Sequence, residues 1–281
     1  MLKRILRKLS PPAQPRVHRY QLSSTTQAQS MDELLASRAL FIISPGRSGT
    51  KSLVDLCARN TSMFCVHAPE PWVASIGYRY HLGELSGDAA QYGFYATREP
   101  YLLRAHQQQR VFFDGDCKNL PLSLEIAALL PNARFIHLVR QPQAFIRSGL
   151  ARGYYLTTPH ELWGHLTDTR IKGPASTSLN EQIQRIAYFW NEANLIAERA
   201  KEHLGKERVT TIVAESLFQE PQIAIDALRA LELDDVILPQ RDRTLGQLNA
   251  QRHRPLLPDN ANEIIHRAVG EMCTTRTLYY D

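Results

Sequence analysis

The sequence predicts an α/β protein, a single domain of three layers, α/β/α, with a central parallel sheet. Two observations carry that expectation. First, short apolar runs alternate with helical patterns: ALFII (39–43), FCVH (64–67), VFFDGD (111–116), RFIHLV (134–139) and RVTTIV (208–213). Short apolar strands separated by helices are what a parallel sheet covered on both faces requires. Second, 281 residues with 43% hydrophobic and 22% charged content suffice for a substantial core in an ordinary soluble domain.

Residues 1–31 read as a basic, flexible arm and linker. In MLKRILRKLSPP, Leu2, Ile5, Leu6 and Leu9 recur at helical spacing with the basic residues on the other face. Such a segment suits peripheral contact of residues 1–9 with an anionic membrane, an organelle address, or a plain tail cut off by Pro11 and Pro12. Residues 13–31, rich in Ser, Thr, Gln and Pro, lack apolar periodicity.

The domain then runs over 32–281. Its first strand, ALFII, stops at SPGRSGTKS, and a helical pattern follows near 50–60. FCVH is the second strand and VFFDGD the third, with helical spacing after it over 119–130. RFIHLV reads as a buried fourth strand, and Pro142 suits the first turn of a helix over 142–151. A long helical pattern over 181–204 precedes the fifth strand, RVTTIV, and another over 221–231 follows it. Residues 152–180 break the rhythm with Gly, Pro, aromatic and Ser/Thr clusters, and they read as a lid or acceptor loop or as a surface excursion. There is no internal repeat.

Charge narrows the function classes. The formal net charge is +5, but Lys3, Arg4, Arg7, Lys8, Arg16 and Arg19 all lie in the arm, which has no acid. Removing these six from the 33 basic residues leaves 27 against 28 acidic ones. A near-neutral body argues against nucleic acid as a partner and makes any anion site local. Cys57, Cys65, Cys117 and Cys273 show no CxxC or zinc-type spacing, which suits a reducing compartment. With no apolar run long enough to span a bilayer and no secretory signal, a cytoplasmic location is expected.

The strand-to-helix turn 44–50 is where an α/β fold gathers anions, on free N–H groups at the positive end of a helix. Gly46 and Gly49 let the backbone wrap close to an oxyanion; Ser48, Thr50 and Ser52 offer hydroxyls, Arg47 and Lys51 charge. Pro45 and Thr50 stand where a nucleoside-triphosphate loop needs glycines, which counts against a P-loop kinase or hydrolase, although FFDGD could imitate a magnesium-binding strand. Arg140 ends the fourth strand, and Ser148 lies in the helix after it. A strand-end guanidinium and a hydroxyl of the next helix can converge on one phosphate.

GRSGTKS after a strand, followed later by FIHLVRQPQAFIRS, resembles the sulfotransferases that use 3′-phosphoadenosine 5′-phosphosulfate. AYFWNEANLIAERA (187–200), RVTTIVAESL (208–217) and LNAQRHR (248–254) extend the likeness over most of 39–281. The resemblance implies a P-loop-like sulfotransferase architecture and metal-free transfer to a hydroxyl or amine acceptor. It implies that Arg47 touches the sulfuryl group and the leaving oxygen, and that Ser48, Gly49, Thr50, Lys51 and Ser52 complete the 5′-phosphosulfate cradle. Arg140 and Ser148 match the 3′-phosphate pair, Lys118 a lysine before a helix, and Asn249 and Arg252 a late loop over the nucleotide. Gln141 departs from the family's aspartate after the strand-end arginine, which puts the charge that orients Arg140 in doubt.

The candidates for a base are in FCVHAPEP: Glu70 comes first, because many members carry an acid there, and His67, which titrates near neutrality, is its rival. Trp190 and Asn191 read as core, although the resemblance could place them near the cofactor, and Glu215 reads as a structural hydrogen-bonding carboxylate. Tyr154, Tyr155, His160, Trp163 and His165 could stack on a small-molecule, carbohydrate or lipid acceptor. A kinase or hydrolase and a non-catalytic binding protein of the same fold remain the alternatives.

Overall fold

The computed structural model describes residues 30–59, 62–156, 163–167, 175–233 and 255–269. The basic arm, His160, Asn249 and Arg252 lie outside them. Helix α1 (Met31–Leu35) opens the described chain and leads into strand β1 (Ala39–Ile43), buried at every residue. The pleat alternates its side chains between two cores. Phe41 and Ile43 join one, Leu40 and Ile42 the other. On the first face Phe41 meets Phe94, Phe112 and Phe135 at ring-centroid distances of 5.8, 6.0 and 5.7 Å. An apolar run fully covered on both sides is therefore explained by central position in the sheet.

The chain continues through α2 (Thr50–Cys57), β2 (Met63–Val66), α3 (Ala74–His81), α4 (Gly87–Gln107) and β3 (Val111–Asp114). A 3₁₀ helix (Cys117–Leu122) and α5 (Ser123–Leu129) lead to β4 (Ala133–Val139) and α6 (Pro142–Leu150). Then come α7 (Leu179–Leu204), β5 (Val209–Val213), α8 (Ala214–Gln219), α9 (Gln222–Ala230) and α10 (Ala261–Val269). Ser178 caps α7 by accepting from Glu181 N–H at 3.2 Å, and α10 packs on α7.

The five strands pair in parallel in the order β2-β3-β1-β4-β5. After β1 the chain turns toward β2 at one edge, and after β4 it turns toward β5 at the other. The carboxyl ends of β1 and β4 therefore flank the switch point, the crevice where open parallel sheets bind ligands.

Each expected strand is present, but β2 ends at Val66, so His67 lies in the loop beyond it. Helix α2 stops at Cys57, short of the expected 60, and Pro121 falls in the 3₁₀ turn that precedes α5. The sequence reading missed α3 and the 21-residue α4. The buried stripe of α4 runs through Ala90, Phe94, Thr97, Arg98, Leu102 and Ala105. Its two polar members hide the helical period, and Pro100 stands within it. Among the described residues no helix is long and apolar enough to cross a membrane.

Candidate anion and transfer site

The loop after β1 is built from left-handed residues. Gly46 has φ 80°, Arg47 φ 54° and Gly49 φ 92°, positive angles of the kind found in turns that wrap around anions. Ser44 Oγ accepts from Gly46 N–H at 3.1 Å, and Ser48 Oγ donates to Gly46 O at 3.0 Å. The Ser48 hydroxyl thus ties the loop to itself. Gly49 is the N-cap of α2 and no side chain caps that helix, so its first N–H groups face the loop. A β-carbon on Gly49 would lie 2.8 Å from Phe218 Cζ, so both backbone angle and space call for glycine.

A cavity of 220 Å³ opens at this loop, and Arg47, Gly49, Thr50, Lys51, Arg140 and Ser148 all line it. Ser48 and Ser52 are buried beneath the lining. The loop and the second motif are directly bonded: Arg140 Nη1 donates to Arg47 O at 2.6 Å, and Arg47 Nε donates to Ser148 Oγ at 2.9 Å. Arg140 is itself held by its surroundings. Its carbonyl accepts from Trp190 Nε1 at 2.8 Å, so Trp190, fully buried, is both core and brace. Glu215 Oε1 lies 3.9 Å from Arg140 Nε and accepts from Gln141 N–H at 3.2 Å. A carboxylate from α8 therefore stands beside Arg140.

His67 and Lys118 also line the cavity. His67 Nε2 is 3.3 Å from Thr50 Oγ1. The residue is exposed; partial desolvation, with the Lys51 charge nearby, lowers its pKa. Glu70 stands apart: its residue is exposed, it is not part of the lining, and its carbonyl accepts from Tyr101 OH at 2.6 Å. Lys118 Nζ lies 4.8 Å from the centre of the Trp72 ring.

Under these walls is a buried ion cluster that sequence reasoning did not anticipate. Arg98, fully buried, donates to Asp114 Oδ2 at 2.6 Å, Asp116 Oδ2 at 3.2 Å and Pro71 O at 2.8 Å. Asp116 Oδ1 in turn accepts from Lys118 N–H at 3.1 Å. Burial, with Asp114 beside it, pushes the Asp116 pKa up against the pull of Lys118 and Arg98. One guanidinium therefore ties the loop after β2 to the loop carrying Lys118. The only sequence signal was DGD at a buried strand end, two acids that need a counter-ion. Replacing Arg98 with methionine leaves both carboxylates buried without it, and unfolding in urea is expected to show a loss of about 3–5 kcal/mol. A loss below about 1 kcal/mol would mean that the cluster is not a structural clamp.

The insertion after α6 supplies the opposite wall, with Arg152, Tyr154, Trp163, Gly164, His165 and Leu166. Tyr155 OH donates to Leu166 O, and the Tyr154 and His165 rings lie 3.9 Å apart, which pins 163–167 to the domain. Trp163 and Trp72 stand at the rim, 46% and 47% exposed, with centroids 6.3 Å apart. Burial pushes the Tyr154 phenol and the Cys117 thiol up to about 12, so both stay protonated at neutral pH. Burial, and then the charge of Arg152, lower the Arg47 pKa. Among the described residues no group of three or more His, Cys, Asp or Glu could hold a metal ion.

Fold and site together define a parallel α/β protein with a glycine-rich loop and a cavity lined by basic and hydroxyl side chains at its switch point. Its fold is that of sulfotransferases. A sulfotransferase from Alicyclobacillus acidocaldarius matches with a TM-score of 0.52 at 16% identity, over 86% of this chain and 96% of that one. The sulfotransferase domain from the Synechococcus PCC 7002 olefin synthase matches over 87% of this chain and 95% of that one, at 16% identity and a TM-score of 0.47. No family model and no curated protein matches the sequence.

Proposed function

We propose that this chain is a sulfotransferase that moves a sulfuryl group from 3′-phosphoadenosine 5′-phosphosulfate to a hydroxyl or amine of an acceptor. The observation that carries this reading is the meeting of the two motifs, 93 residues apart in the chain, where Arg140 bonds the Arg47 carbonyl and Ser148 accepts from the Arg47 side chain. Two anion subsites side by side suit a nucleotide with phosphates at both its 5′ and 3′ positions. A linear triphosphate needs one subsite and a metal. Here the two acids that could imitate a magnesium site are both held by Arg98.

Transfer breaks the bond from sulfur to the bridging oxygen of the 5′-phosphate and makes one from sulfur to the acceptor atom. The acceptor proton passes to a base, and adenosine 3′,5′-bisphosphate leaves. The chain's part is positioning and fixed charge. The N–H groups of the 44–50 loop and the Lys51 charge bind the 5′ end, while Arg140 and Ser148 bind the 3′-phosphate. Arg47 and Lys118 meet the negative charge that builds on the leaving oxygen. His67, lining the cavity beside Thr50, takes the acceptor proton, with Glu70 the rival base. Tyr154, Trp163, Leu166 and Phe189 form an apolar wall that suits a small-molecule, carbohydrate or lipid acceptor.

Thermal-shift binding tests the donor half of this reading. Adenosine 3′,5′-bisphosphate is expected to raise Tm without added magnesium, at 100 times Kd by the equivalent of about 2.7 kcal/mol. Arg140→Ala is expected to reduce the shift. A screen with donor labelled in the sulfuryl group then identifies the acceptor. No shift with wild type, or tight binding of ATP only with magnesium, would sink the proposal in favour of a kinase or hydrolase. Binding without transfer to any acceptor would favour a non-catalytic protein of the same fold.

A further inference from the structure

Arg152 belongs to neither motif, yet it lines the same cavity as Arg47, Arg140 and Ser148. Its position follows from the end of α6. The C-cap Ala151 keeps right-handed helical angles, and Arg152 N–H donates to Gly149 O at 3.0 Å, so the chain continues one more turn. Arg152 comes four residues after Ser148, the spacing that puts two side chains on one side of a helical turn. It is exposed and makes no ion pair among the described residues. A third guanidinium beside two others is an arrangement that like-charge repulsion opposes, and a polyvalent anion relieves it.

The donors of the motif pair are already partly engaged. Arg140 Nη1 is on the Arg47 carbonyl, Arg140 Nε is 3.9 Å from Glu215, and Ser148 Oγ already accepts from Arg47. A phosphate dianion at that point needs a further charge-assisted donor. We propose that Arg152 is the third anchor of the 3′-phosphate subsite and sets the preference for a donor that carries this phosphate. The inference rests on the reading of the cavity as a 3′-phosphoadenosine site.

Titration calorimetry with adenosine 3′,5′-bisphosphate and adenosine 5′-monophosphate tests it. Wild type is expected to prefer the bisphosphate. Arg152→Ala is expected to weaken bisphosphate binding by about 10-fold and to leave the monophosphate within about twofold, with Arg152→Lys recovering part of the loss. If wild type shows no preference for the bisphosphate, the donor reading falls and the inference with it. If wild type shows the preference and Arg152→Ala keeps it, or weakens both nucleotides equally, the inference alone is overturned.

Discussion

Arg47→Ala is expected to lower kcat by about 10²- to 10³-fold, the usual cost of removing one preorganised donor at a developing oxyanion. Its nucleotide Kd should change much less. The reason is where charge appears: in the bound donor the bridging oxygen is shared between sulfur and phosphorus, and only as the bond breaks does it become a full anion. An interaction made mainly at that stage lowers kcat rather than KM when lost. Arg47 is suited to it by position, in the loop after β1 with its carbonyl held by Arg140. Arg47→Lys keeps the charge without the planar fork and should fall between. Folding is not the expected route of the loss, because alanine has no more difficulty with a φ of 54° than arginine has; an unchanged Tm checks this. If kcat stays at the wild-type level while Kd and KM rise together, Arg47 is a binding residue and not a group that meets the leaving oxygen.

His67→Ala is expected to reduce turnover by about 10²- to 10⁴-fold, the range for a positioned general base, and to abolish the acidic limb of the pH–rate profile. The sign follows from the pKa direction. A base must be unprotonated, and partial desolvation together with Lys51 holds the His67 pKa below its ordinary value. The wild-type rate should therefore rise with pH through a midpoint under about 6.5 and be flat at neutrality. Tyr154 and Cys117, held protonated by burial, cannot take that part near pH 7. Glu70→Gln should leave turnover near wild type, since that residue is outside the lining. The opposite pattern, with Glu70→Gln inactive and His67→Ala active at unchanged nucleotide affinity, makes Glu70 the base.

The Arg140 neighbourhood shows how residues far apart in the chain set the surroundings of one side chain. Gln141 removes a carboxylate adjacent in sequence, and Glu215, from α8 after β5, stands near the guanidinium and accepts the Gln141 N–H. A sequence comparison position by position registers only the loss. The same holds for Arg98, a buried cation on a helix whose partners come from the end of β3. Isolated in sequence it reads as a surface residue, and it helped to conceal α4.

Local chemistry was enough for the strands, the loop and the two motifs. ALFII, RFIHLV and RVTTIV are apolar runs of strand length. SPGRSGTKS combines glycines at left-handed positions with donors at a helix start. Arg140 and Ser148 are spaced across a strand end and the helix after it. These signals depend on neighbours within about ten residues, where periodicity and backbone preference act. Which side chains share the cavity depended on strand order instead. The β2-β3-β1-β4-β5 arrangement brings the ends of β1 and β4 together and carries the loop after β2 alongside. That packing put His67 on the cavity and Glu70 off it, turned the Ser48 hydroxyl onto its own loop, and added Arg152 to the two motif arginines. The sequence by itself determined that a glycine-rich loop with hydroxyl and cationic donors follows the first strand. Only the tertiary structure decided which charges surround it, because contacts between residues far apart in the chain follow from packing and not from local preference.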